Sequence, residues 1–107
     1  MADIKSILST LEQKIVELAK STVTDFTTEA ITDGKQLLAT IKDDLVRRTQ
    51  LLEDQKITAK EFSDLMLGNE ALVQMAGLTQ KGLSKAKVDA FKTGVFNLII
   101  GTVTSLI

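Results

Sequence analysis

The sequence predicts an all-α protein, an antiparallel four-helix bundle, and three observations carry that expectation. The 107 residues contain no proline and only six glycines. Leu, Ala, Lys, Glu and Gln, all good helix formers, are abundant. Apolar residues recur at steps of three and four, the spacing of one helix face, and no segment alternates as a strand would.

The first expected helix, near 3–32, follows the stripe Ile4, Leu8, Leu11, Ile15 and Leu18, continued by Val23, Phe26 and Ala30. Residues 21–32 are crowded with Ser and Thr, which favour helix weakly, so an earlier end is the alternative. The second, near 34–55, carries Leu38, Ile41, Leu45 and Leu52, with Asp33 as its amino-terminal cap and Gln36 reaching back. A single rod over both helices is the competing reading, with Gly34 inside it costing about 1 kcal/mol relative to Ala.

The third, near 59–81, opens on the capping box Thr58-Ala59-Lys60-Glu61 and carries the stripe Phe62, Leu65, Met66, Leu72, Met75 and Ala76. Gly82 is its expected stop, with Ser84 capping a fourth helix near 85–107. The length suits one domain, 1–107, with a core large enough to fold without staples.

Composition narrows the chemistry. With no His and no Cys, the usual general base, soft nucleophile and zinc ligands are missing. The expectation is a non-enzymatic protein without metal or other cofactor. The adjacent acids Asp43-Asp44 and Glu53-Asp54 diverge by about 100° on a helix and read as surface charges. Reading Glu61 as the twelfth position of a calcium loop puts Gln50, Leu52 and Gln55 at its first, third and sixth. The acid, the oxygen ligand and the turn glycine required there are absent.

Ser84-Lys85-Ala86-Lys87 and Lys92-Thr93-Gly94 match fragments of a serine-nucleophile signature, but they sit on one short helix rather than on separate elements. No glycine-rich phosphate loop occurs, so no nucleotide is expected. Net charge is −1, with residues 1–55 at −3 and 56–107 at +2. That is no footprint for nucleic acid. Arg47-Arg48 beside Asp43 and Asp44 reads as a salt-bridged surface. No secretory signal is evident, which makes cytoplasmic the default, with peripheral membrane attachment or signal-independent export as alternatives.

The informative segment is the carboxyl end. The basic collar Lys81, Lys85, Lys87 and Lys92 is followed by fifteen residues without a charge, Thr93 to Ile107. A helix there places Val88, Phe91, Val95, Leu98, Thr102 and Leu106 on one face, and Ile99, Ile100, Val103 and Ile107 on its flanks and back. Burying four aliphatic side chains beyond a half-exposed helix is worth roughly 6–12 kcal/mol, comparable with a domain's whole stability.

Three destinations compete: the centre of the bundle, another subunit, or lipid. The small residues Gly94, Gly101, Thr102 and Ser105 would let a second helix approach closely. Lipid suits the collar, which can face anionic headgroups. Fifteen residues nevertheless reach only about 22 Å, short of a ~30 Å hydrocarbon layer. The expected role is therefore a self-assembling or scaffold subunit, its partner itself or another helical protein. The expected contact set is Phe91, Val95, Phe96, Leu98, Ile99, Ile100, Val103, Leu106 and Ile107. A membrane-active protein, anchored or pore-forming through this segment, is the alternative. On the assembly reading, Ile99→Asp or Val103→Asp would dissociate the oligomer and spare the helices.

Overall fold

The computed structural model describes residues 4–70 and 73–106. These form five helices and no strand: α1 (Ile4–Thr22), α2 (Thr27–Glu53), α3 (Ala59–Leu67), α4 (Ala76–Gln80) and α5 (Lys85–Leu106). Their contacts agree with a four-helix bundle. Helix α1 packs on α2 and α5, α2 also on α3 and α4, and α5 touches every other helix.

Three of the expected boundaries move. The first helix stops at Thr22 rather than near 32, and the chain turns at residues 23–26. Side-chain hydroxyls compete for carbonyls here: Thr22 donates to Leu18 O at 2.6 Å and Thr27 to Val23 O at 2.8 Å. Such bonds offer the backbone an alternative to continuing the helix. The turn also removes the single-rod reading, since the molecule's longest dimension is 42 Å, where a helix over residues 3–55 would reach about 80 Å.

Helix α2 starts seven residues before the expected position, so Asp33 and Gly34 lie inside it. Gly34 is there for space: a Cβ would come within 2.5 Å of Ile15 Cγ2, so α1 and α2 can approach only with glycine at this level. The expected third helix is two, α3 and α4, interrupted after Gly68. Asn69 behind it is 7% exposed and a poor helix former. Leu72 lies outside the described residues.

Several local signals hold. Thr58 Oγ1 accepts from Glu61 N and Glu61 Oε1 accepts from Thr58 N, both at 3.0 Å, forming the capping box. Gly82 takes the left-handed conformation at φ 85°, and the bonds Leu83 N to Leu78 O and Gly82 N to Thr79 O close α4 as a Schellman motif. Ser84 Oγ caps Lys87 N at 3.3 Å. Helix α5 begins at Lys85 as expected.

The five-residue α4 is far too short to persist alone. Asp33, only 3% exposed, holds it from across the bundle. Its carboxylate accepts from Gly77 N at 3.0 Å and Leu78 N at 2.8 Å. The residue that the sequence suggested as a cap for its own helix thus caps another, 44 residues on. A Cβ on Gly77 would meet Asp33 Oδ1 at 2.8 Å, so that site also needs glycine.

Around these contacts the core is continuous. Ile7, Leu11, Ile15 and Ala19 of α1, and Leu37, Leu38, Ile41 and Leu45 of α2, meet Phe62, Met66, Met75 and Leu78 and the inner face of α5. Asp33→Ala strips a charged partner from two amide groups at the start of α4, an interaction class worth roughly 1.5–3 kcal/mol. The expected result is a loss of that size in urea denaturation, with faster hydrogen exchange at Gly77 and Leu78.

Candidate functional site

Helix α5 divides into an inner and an outer face. Inside, Val95, Phe96, Ile99 and Val103 are 0% exposed and Phe91 is 4%. The sequence reading placed these five at an oligomer or lipid contact; the structure places them in the core of a single copy. Leu98 and Ile100 are half-buried against that core, Leu106 is 52% exposed, and Ile107 lies outside the described residues. The apolar run is therefore covered mainly within its own chain.

The outer face is left with small, uncharged side chains. Ala90, Asn97, Gly101 and Ser105 are exposed and Gly94 is half-buried. Their steps of three and four put them on one strip. No charge lies between Thr93 and Leu106.

Helix α1 borders this strip in the opposite direction. Leu18 abuts Gly94, where a Cβ would meet Leu18 Cδ2 at 3.4 Å, while the earlier Lys14 donates to the later Thr102 Oγ1 at 3.3 Å. Between them runs an open groove of about 600 Å³, bordered by Lys14, Glu17 and Ser21 on α1 and Asn97, Gly101 and Ser105 on α5.

Leu18 also borders a second, more enclosed cleft of about 320 Å³. Leu18, Val23, Phe26, Leu83, Phe91 and Ala90 give it an apolar lining, with Asp25 and Lys87 on its wall. It lies where the chain turns at 23–26, with Phe26 packed against the core and lining it. A helix continued to residue 32 would leave no such recess.

The basic collar does not act as one patch. Lys81 lies 3.9 Å from Glu29, Lys85 bonds Asp89 at 2.8 Å, and Lys92 donates to Val73 O at 3.2 Å. The hydrogen bond from Lys85 lowers the Asp89 carboxyl below its ordinary range and raises the Lys85 ammonium above its own. Lys87 alone of the four faces the cleft. Arg47 pairs with Asp44 at 2.7 Å, whereas Arg48 holds α3 by donating to Leu65 O at 3.0 Å.

Among the described residues no cluster of acids could hold a metal ion, and no helix is long and apolar enough to cross a membrane. The sequence reading had noted Gly94, Gly101, Thr102 and Ser105 as small. It missed Lys14, Glu17 and Leu18, because only the packed structure sets α1 beside them. Thr102 turns inward and is 5% exposed.

The burial of α5 reverses one expectation. An ion placed at Ile99 would be buried without a partner, a penalty of several kcal/mol that rivals the stability of a small domain. Ile99→Asp should therefore collapse the helical circular dichroism signal itself, rather than release intact monomers. Compared with protein-family models, with curated proteins and with solved structures, the chain matches none.

Proposed function

We propose that this chain is a non-enzymatic helical subunit that associates with a second copy of itself through the outer strip of α5 and the bordering face of α1. In this reading it is an antiparallel four-helix bundle in which α3 and α4 share one corner. The observation that carries the proposal is the missing charge on an exposed surface. The exposed residues of α1 include Glu12, Lys14, Glu17 and Lys20, and those of α2 include Lys35, Lys42, Asp43 and Arg47. Beyond Lys92, the exposed residues of α5 are Thr93, Asn97, Gly101, Ser105 and Leu106, none of them charged.

Charge is what keeps a solvent-facing helix surface apart from its neighbours. Small residues are what let two helices lie near the short end of their usual 8–10 Å separation. The strip combines both conditions. The rim of the groove adds a self-complementary pair, Lys14 and Glu17, which carry opposite charges within one turn of α1. An interface between like copies uses one patch twice, so that each of these charges can meet the other's counterpart.

Gly101 separates assembly from folding. A Cβ there meets nothing within 4 Å, so a side chain enters open space. Gly101→Lys should hold or raise the melting temperature, since Lys exceeds Gly in helix propensity by about 0.5–1 kcal/mol. The same variant should abolish association in sedimentation at high micromolar concentration. A wild-type chain that sediments as a monomer under those conditions would overturn the proposal.

A further inference from the structure

Resting on the self-association proposed above, we infer that the cleft beside Phe26 and Phe91 receives Leu106 of the second copy, the two copies being related by an antiparallel two-fold axis across the α1–α5 seam. Leu106 is the most exposed large apolar side chain among the described residues, at 52%. It stands at one end of α5, and the cleft lies towards the other, beside Ala90 and Phe91. Within one copy they cannot meet: sixteen residues of helix separate Ala90 from Leu106, about 24 Å.

A two-fold axis crossing α5 midway between Gly94 and Gly101 removes that separation. It places Gly94 of each copy against Gly101 of the other, the two positions on the strip with no side chain to hold the helices apart. Leu106 of the second copy then falls level with residues 89–90, at the mouth of the cleft. A shallow crossing near 20°, as in most helical bundles, keeps the helices close enough over that length.

The same axis satisfies α1. Because Leu18 sits beside Gly94 and Lys14 reaches Thr102, the level between Gly94 and Gly101 corresponds to residues near 16 on α1. That is close to the midpoint of Lys14 and Glu17. Each Lys14 is thereby set opposite Glu17 of the other copy. One operation pairs the glycines, pairs the charges and fills both clefts. A parallel two-fold would instead set Lys14 against Lys14 and leave each Leu106 beside its counterpart in water.

The chain has no cysteine, which makes the register directly measurable. Ala90 and Leu106 are both exposed, so cysteines there leave the core intact. A disulfide requires Cα atoms within about 7 Å. An equimolar mixture of full-length Ala90→Cys and Leu106→Cys, mildly oxidised, is expected to give a covalent dimer joining the two variants. Neither variant alone should cross-link efficiently.

Independently, Leu106→Ser should weaken association at least tenfold without changing the melting temperature at monomeric dilution. Dimers that sediment but do not join at these two positions, or that cross-link Ala90→Cys to itself, would overturn the register while leaving self-association standing. An unchanged affinity in Leu106→Ser would do the same. Absence of any dimer would overturn both.

Discussion

Helix α5 is apolar on more of its circumference than a helix of a small bundle can expose, and the other four helices are arranged to cover its inner side. Phe96, Ile99, Val95 and Val103 are sealed from water. They belong to the helix that α1, α2, α3 and α4 all contact. Burial of side chains of this kind contributes about 1.5–3 kcal/mol each, so these residues are a substantial part of the core that holds the chain folded. A force of that size also explains why a marginal piece such as α4 is retained. It covers α5, and its own weak helicity is offset by Asp33 at one end and a Schellman turn at the other.

Covering one side of α5 has a consequence for the other side. A core helix that must be apolar inside needs no charge outside for folding, and from Thr93 to Leu106 this one has none. What remains on the surface is a strip of small side chains flanked by a groove, set against charge-rich neighbours. The physical conditions for a close helix-to-helix contact are thus by-products of how the core is built. The proposed function uses the face that folding leaves unused, rather than the apolar residues that first draw attention in the sequence.

Much of the fold was legible in residue order. The helical class, the capping box at Thr58, the stop at Gly82 and the start of α5 all rest on signals within four residues of one another, where local chemistry decides. The errors share an opposite character. Asp33 looks like a cap for the residues after it, yet its partners are Gly77 and Leu78. Gly34 looks like a break, yet it serves the approach of Ile15 from α1. Both are long-range contacts, invisible to any local pattern. The true break at 23–26 was signalled only by the density of Ser and Thr, a preference too weak to place a boundary.

The candidate site divides along the same line. The run without charge after Lys92 was plain in the sequence, and so were the small residues on it. Which side of the run faces water depends on the packing of four other helices, and the cleft depends on where α1 ends. The central claim is that one copy buries the inner face of α5 by itself, with association adding only to the outer strip. Hydrogen exchange of the wild-type chain, followed across dilution to concentrations where it is monomeric, tests this most directly. The account expects the amides of residues 95–103 to exchange only through global unfolding at every concentration. Protection of those amides that vanishes on dilution would contradict it.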